Sequence, residues 1–238
     1  MNHLDKELDR IKKKVSDMWD LVDFQVRGGK EAFLTGDKLL AKKIIKRGKK
    51  VNEYDLKIDQ SCENFLALFN PLAVDLRLIL AILKINANLE RIGDTAEGIA
   101  HTILDMETSF DAGLTELTKV LEMYDGALQM LTEMKTAFAS EDTRLAKEVM
   151  RMDKNLNKIY QKTDQIIIGY IQKNPAHIDQ SLKVADIIRK LERIGDHVTN
   201  IAEEIVFYVD AKVVKHKPKA WKEKQSKTPD TGPEENID

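Results

Sequence analysis

The chain has 238 residues, of which 42% are hydrophobic and 33% are charged, and its formal net charge is −2. This composition predicts a globular protein of one large or two small domains, and the balanced charge gives no support for nucleic-acid binding. The single cysteine, Cys62, excludes an intramolecular disulfide. No apolar run approaches the ~20 residues of a membrane-spanning helix, so we expect a cytoplasmic protein without a transmembrane segment.

Breaks in the sequence divide most of the chain into six long segments with helical periodicity. In chain order these segments cover residues 1–34, 37–69, 71–108, 112–139, 141–173 and 175–210. Two of the breaks contain Asn-Pro pairs, Asn70-Pro71 and Asn174-Pro175. Asn is a good N-cap and Pro suits the first helical position, so both pairs predict helix starts. No segment shows the period-two alternation of a strand, and we predict an all-α protein of six helices.

The second half of the chain repeats the first. The sequence Leu-Glu-Arg-Ile-Gly-Asp occurs unchanged at 89–94 and 191–196, and residues 30–37 resemble residues 135–142. This pattern indicates duplication of a three-helix unit. We predict two similar three-helix bundles, 1–109 and 110–211, related by a pseudo-twofold axis. The lysine- and proline-rich residues 212–238, with Trp221 in their middle, are predicted to be a disordered charged tail.

The repeated hexapeptide places two carboxylates on one helix face. Glu90 and Asp94 are four residues apart in the third segment, and Glu192 and Asp196 are their equivalents in the sixth. Like charges at this spacing destabilise a helix by ~0.2–0.5 kcal/mol. The glycine between them costs up to ~1 kcal/mol more. A motif with two unfavourable features that is present twice suggests a bound cation and a closely packed neighbour.

The neighbouring segments offer further oxygen ligands. Asp153 and Asn157 lie four apart in the fifth segment, and the second segment supplies Asn52 at the place of Asn157 and Gly48 at the place of Asp153. Asp55 and Asp59 follow on the same side of the second segment. Carboxylate and amide oxygens without thiolates suit Mg²⁺, Ca²⁺, Mn²⁺ or oxygen-ligated iron. The candidate metal ligands are Asp153, Asn157, Glu192 and Asp196 in the second half, and Glu90, Asp94, Asn52, Asp55 and Asp59 in the first.

Two other interpretations of the acidic pairs remain open. They are also typical of a solvated helix face whose charge is neutralised locally, for example by Arg91 or Lys84, and then the repeat preserves only packing. A helical metal-storage protein or metalloenzyme is the second alternative. The Glu-x-x-His pairs of a ferritin-like di-iron site are missing from the sequence, which argues against that class of enzyme.

The combination of these features resembles the PhoU family of bacterial phosphate-transport regulators. The resemblance covers residues 1 to about 210. It is carried by Asn70-Pro-Leu-Ala-Val-Asp-Leu-Arg77, by Leu83-Lys-Ile-Asn86 and by the two Leu-Glu-Arg-Ile-Gly-Asp copies. It implies a pair of three-helix bundles without enzymatic activity, and a homodimer is expected.

The resemblance also implies a role and partners. A member of this family is expected to restrain phosphate uptake and the phosphate-starvation response by linking the ATPase subunit of the phosphate ABC transporter to a sensor histidine kinase. It further implies metal bound by paired acidic motifs on adjacent helices. In this sequence the second half matches that pattern, whereas Gly48 stands where the first half would have an acid. We therefore expect the second half to bind a cation more tightly.

Overall fold

The computed structural model describes residues 3–214, and within that range the chain forms helices and no strands. The elements are α1 (His3–Thr35), α2 (Lys38–Phe69), α3 (Val74–Leu104), α4 (Ala112–Thr118), α5 (Val120–Ser140), α6 (Thr143–Lys173), a 3₁₀ turn (Pro175–His177) and α7 (Ile178–Asp210). The predicted all-α fold is confirmed. No helix in the described range is long and apolar enough to cross a membrane. Most of the predicted tail, residues 215–238, lies outside the described residues.

The fourth predicted segment is two helices rather than one, so the described range holds seven α-helices. Lys119 separates α4 from α5 because its backbone is left-handed, with φ 56°. Asp111 begins α4 by accepting a hydrogen bond from the Leu114 amide at 2.8 Å. This N-cap fits the predicted break before residue 112.

The Asn-Pro pairs do not start α-helices as predicted. Asn70 is the C-cap of α2, with a left-handed backbone at φ 42°, and α3 begins only at Val74. Pro175 does open a helical turn, but it is the short 3₁₀ turn, and α7 follows from Ile178. Asparagine tolerates the left-handed conformation that ends many helices, so it serves as well after a helix as before one.

The break between α1 and α2 has the same construction as the break between α5 and α6. Asp37 caps α2 by accepting from the Leu39 and Leu40 amides at 2.8 and 3.0 Å. Asp142 caps α6 through Arg144 and Leu145 at 2.8 and 3.1 Å. The residue before each cap, Gly36 or Glu141, has a positive φ.

The helices pack as two units that share one core. Helices α1, α2 and α3 contact one another, as do α5, α6 and α7, and the units meet through α3 against α7 and α1 against α5. Leu89 and Leu191 are fully buried at equivalent positions, as the periodicity predicts. Trp19 and Tyr124, which also correspond, are both fully buried.

Ion pairs across the α1–α5 contact are reciprocal. Lys135 contacts Asp20 at 2.5 Å, and Lys30 contacts Asp125. Lys30 and Lys135 occupy the same place in the two repeats, and so do Asp20 and Asp125. Each half therefore contributes the lysine of one ion pair and the aspartate of the other, as in a twofold-symmetric interface.

Candidate functional site

The first acidic pair lies where α3 faces α2. Burial raises the pKa of Glu90 to about 7, with smaller contributions from the charges of Asp94 and Asp55. The pKa of Asp55 is also raised, first by burial and then by Asp59. Four of the predicted first-half carboxylates thus belong to one electrostatic cluster.

Asn86 connects the α2 carboxylates of this cluster to α3. Its side-chain amide donates hydrogen bonds to Oδ1 of Asp55 at 2.7 Å and to Oδ1 of Asp59 at 2.9 Å. Asn86 lies one turn before Glu90 on α3, and its side chain is fully buried. Asn86 therefore fixes Asp55 and Asp59 against α3, a role that sequence reasoning missed.

The remaining first-half candidate, Asn52, is exposed on α2. Within residues 3–214 no hydrogen bond joins its side chain to the acidic cluster. One turn earlier, Gly48 is buried, and the carboxylate of Glu97 fills the space that a side chain there would need. Glu97 also lies 3.7 Å from the Nε2 atom of His101. The first half therefore has a carboxylate beside position 48 after all, supplied by α3.

The second acidic pair repeats this arrangement between α7 and α6. Burial raises the pKa of Glu192, and the charges of Asp196 and Asp153 raise it further. Asp196 is an exposed residue, yet partial burial of its carboxyl raises the pKa of that group as well. The side-chain amide of Asn157 donates to Oδ2 of Asp153 at 2.5 Å. Asp196 and Asp153 thus interact electrostatically with Glu192, and Asn157 contacts Asp153.

Glycine allows the paired helices to approach closely in both halves. A Cβ on Gly195 would lie 2.9 Å from Asp153 Oδ1 and 2.9 Å from Leu156 Cδ2. A Cβ on Gly93 would lie 3.1 Å from Val51 Cγ1, and Val51 corresponds to Leu156. The close approach that the sequence predicted for these glycines is confirmed.

Gln25 on α1 is a second buried polar group that sequence reasoning missed. Its Oε1 atom would lie 3.1 Å from a Cβ on Gly93, and its amide donates weakly to the Ile44 carbonyl at 3.4 Å. The available signal was one polar residue within the apolar stripe that runs from Val22 to Val26.

His197 lies on the seam between α3 and α7, next to the second acidic pair. Its Nδ1 atom is 3.0 Å from the Asn88 side-chain oxygen. Burial, together with the charges of Arg91 and Arg193, lowers the pKa of His197 to about 4. The imidazole is therefore neutral near pH 7 and adds no charge to the acidic groups.

The carboxylates of residues 3–214 do not form a preformed metal site. Among residues 3–214 no group of three or more His, Cys, Asp or Glu side chains is arranged to hold a metal ion. The donor chemistry still suits a hard cation, because the candidate ligands are carboxylate and amide oxygens and because burial, followed by the neighbouring carboxylates, raises the pKa values of Glu90 and Glu192. A cation would require these side chains to move in order to complete its ligand set.

The sequence matches the model of the PhoU domain twice, over residues 15–103 and 120–205. The chain is similar to the "Phosphate-specific transport system accessory protein PhoU homolog" of Pseudomonas putida, with 33% identity over 88% of this chain and 82% of that protein. The "Phosphate-specific transport system accessory protein PhoU" of Escherichia coli is 33% identical over 88% of this chain and 86% of its own.

Two solved structures have the same fold. The crystal structure of PhoU from Pseudomonas aeruginosa superposes with a TM-score of 0.83 at 32% identity, over 88% of this chain and 100% of that one. The phosphate transport system regulatory protein PhoU from Streptococcus pneumoniae superposes with a TM-score of 0.81 at 27% identity, over 89% and 99% of the two chains.

Proposed function

This chain belongs to the PhoU family, and from that membership we propose that it is a non-enzymatic regulator that restrains phosphate uptake and the phosphate-starvation response. The observation that carries the proposal is the match of both repeats to the PhoU domain, joined to similarity with accessory proteins of the phosphate-specific transport system. Accessory proteins of a transport system associate with its machinery, which favours an adaptor over a catalyst.

The finer part of the proposal concerns partners. We propose that the chain links the ATPase subunit of the phosphate ABC transporter to a sensor histidine kinase from the cytoplasmic side. The two similar halves support this role, because a duplicated helical surface offers two related contact areas to two proteins.

Gene deletion tests the regulatory role. A deletion strain grown with ample phosphate should express its phosphate-starvation genes, and the wild-type gene supplied in trans should repress them again. Unchanged expression in the deletion strain would contradict the proposal. Purification with the transporter ATPase and with the sensor kinase, each measured separately, then tests the two partners one at a time.

Metal binding is a second proposal, supported by the crowded carboxylates between α2 and α3 and between α6 and α7. Burial is the main reason why the pKa values of Glu90 and Glu192 are raised, and repulsion from neighbouring carboxylates adds to it; a divalent or iron cation bound by oxygen ligands would relieve that repulsion. In the second half Asp153, Asn157, Glu192 and Asp196 would hold it. Asp55, Asp59, Asn52, Glu90 and Asp94 are the first-half candidates.

Calorimetric titration of chelator-stripped protein with Mg²⁺, Mn²⁺ and Fe²⁺ tests the metal proposal. Glu192→Gln/Asp196→Asn and Glu90→Gln/Asp94→Asn keep the shape of each pair and remove its charge. Each variant should lose one class of binding site, and bound metal should raise the melting temperature of the parent. If both variants bind metal like the parent, the acidic pairs serve packing alone.

A further inference from the structure

The start of α3 exposes an unusual group of apolar side chains. Between residues 72 and 80, Leu72 is 80% exposed, Val74 55%, Leu76 37% and Leu80 39%. Leu76 and Leu80 are four residues apart and therefore share one face of α3. Single exposed leucines are ordinary, but a cluster of this kind marks a surface that another group covers.

The second half exposes an apolar pair at the equivalent positions. Ile178 and Leu182, which are 51% and 58% exposed, occupy on α7 the places of Leu76 and Leu80 on α3. Helices α3 and α7 are antiparallel. Arg77, near the start of α3, contacts Tyr208 near the end of α7, whereas Thr102, near the end of α3, contacts Asp186 in the first half of α7. The two apolar pairs therefore lie at opposite ends of the molecule.

The chain leaves the described structure beside only one of these pairs. Arg77 Nε donates to the Tyr208 carbonyl at 3.4 Å, and Lys84 Nζ lies 5.4 Å from the centre of the Phe207 ring. The end of α7 is thus held against the first turns of α3. Residues 211–214 continue from this point, with Val213 exposed, and residues 215–238 follow.

The side chains around Trp221 complement the apolar and acidic groups at the start of α3. Trp221 is flanked by Lys219 and Lys222 and is the only tryptophan of residues 215–238. Asp75 lies next to Leu76, and among the described residues its carboxylate makes no ion pair. Trp221 follows Val214 by seven positions, and a chain segment of that length spans up to ~23–25 Å when extended. An indole can therefore reach Leu76 and Leu80 while a neighbouring lysine meets Asp75.

We propose that Trp221, within residues 215–238 of the same chain, docks on the apolar surface of Leu76 and Leu80. The tail then covers one end of the duplicated molecule and leaves Ile178 and Leu182 open at the other. A protein that binds the α3 end would first have to displace Trp221, whereas a protein that binds the α7 end would not.

Tryptophan fluorescence of the full chain tests this proposal. Trp19 is fully buried, so acrylamide quenching reports Trp221, and Trp221→Phe supplies the Trp19 background. We expect Trp221 to be several-fold less quenched than a free indole derivative. Leu76→Ser/Leu80→Ser should raise quenching to the free value and shift the emission to the red. The matched control, Ile178→Ser/Leu182→Ser, should leave both unchanged.

Four results would overturn the proposal. The first is quenching of Trp221 in the parent that equals the quenching of a free indole derivative, and the second is an equal effect of the two serine pairs. Protection that rises with protein concentration would assign the surface to a second copy of the chain. A chain ended after Val214 gives an independent readout, because it should bind more of an apolar dye than the full chain, and Leu76→Ser/Leu80→Ser should abolish the gain. No gain on truncation would also refute tail docking.

Discussion

The carboxylate of Glu97 occupies the space that a side chain would need at Gly48, across the contact between α3 and α2. The second half has the reverse arrangement, with Asp153 at the place of Gly48 and Thr199 at the place of Glu97. In the first half the acidic residue lies on α3 and the smaller residue on α2. In the second half the acidic residue lies on α6 and the smaller residue on α7. Each half therefore keeps one carboxylate at this contact, but a different helix supplies it.

This exchange predicts strong coupling between positions 48 and 97. Gly48→Asp alone should destabilise the protein, because two carboxylates would compete for one space. Gly48→Asp together with Glu97→Thr copies the second half and should recover much of the loss. We expect a coupling free energy of ~0.5–3 kcal/mol, measured by urea unfolding of the parent, both single variants and the double variant. Additive effects would show that the two positions do not compete.

The same observation changes what we expect of metal binding. The predicted weakness of the first half assumed that no carboxylate lies near Gly48, and Glu97 lies there. Glu97→Gln should therefore weaken cation binding by the first half and leave the second half unaffected. Titration of Glu97→Gln in the Glu192→Gln/Asp196→Asn background isolates the first half. Binding equal to that of the background protein would remove Glu97 from the ligand set.

Gly195 should tolerate alanine poorly, although alanine favours helices. The new Cβ would lie 2.9 Å from both Asp153 Oδ1 and Leu156 Cδ2. Gly169 in α6 is the matched control, because nothing lies within 4 Å of its added Cβ. Gly169→Ala should stabilise the protein by ~0.5–1 kcal/mol. Gly195→Ala should be less stable than that control by ~1–3 kcal/mol in denaturant unfolding, as expected of overpacking.

Glu90 should make the protein less stable as the pH rises toward neutrality. Its pKa is about 7 in the folded protein and 4.5 in the reference state. Between these values the folded chain holds more protons than the unfolded chain, so its stability decreases with rising pH. Glu90→Gln should flatten this slope and melt at a higher temperature than the parent at about pH 8.

Melting curves in chelator-containing buffer across this range check the prediction. The depressed pKa of His197 gives the opposite slope below its ordinary value of 6.5, but it is common to parent and variant and cancels in their difference. Parallel pH profiles for the two proteins would show that Glu90 titrates normally.

Local patterns predicted the helices and their buried faces well. Apolar steps of three and four residues placed Leu89 and Leu191 in the core, because helix geometry alone determines which side chains share a face. Asp37 and Asp142 stand at two of the predicted segment boundaries, and the structure shows that they cap α2 and α6. The left-handed break at Lys119 was not predicted, because lysine has no preference for that backbone conformation.

The polar contacts between helices were harder to predict. Burial of Asn86 and the position of Glu97 over Gly48 depend on how α3 sits against α2, which one helix cannot specify. A signal was nevertheless present in the repeats. Comparing Gly48 and Glu97 with Asp153 and Thr199 reveals a paired exchange, and paired exchanges indicate spatial contact.

The reciprocal ion pairs between α1 and α5 give the molecule the character of a tethered dimer. A single half carries both the lysine and the aspartate of this contact, so two separate halves would have everything needed to associate. The link between α3 and α4, residues 105–111, makes that association intramolecular, at an effective concentration on the order of millimolar or higher. Because the tether holds the halves together, each half is free to change its own acidic contact without losing its partner.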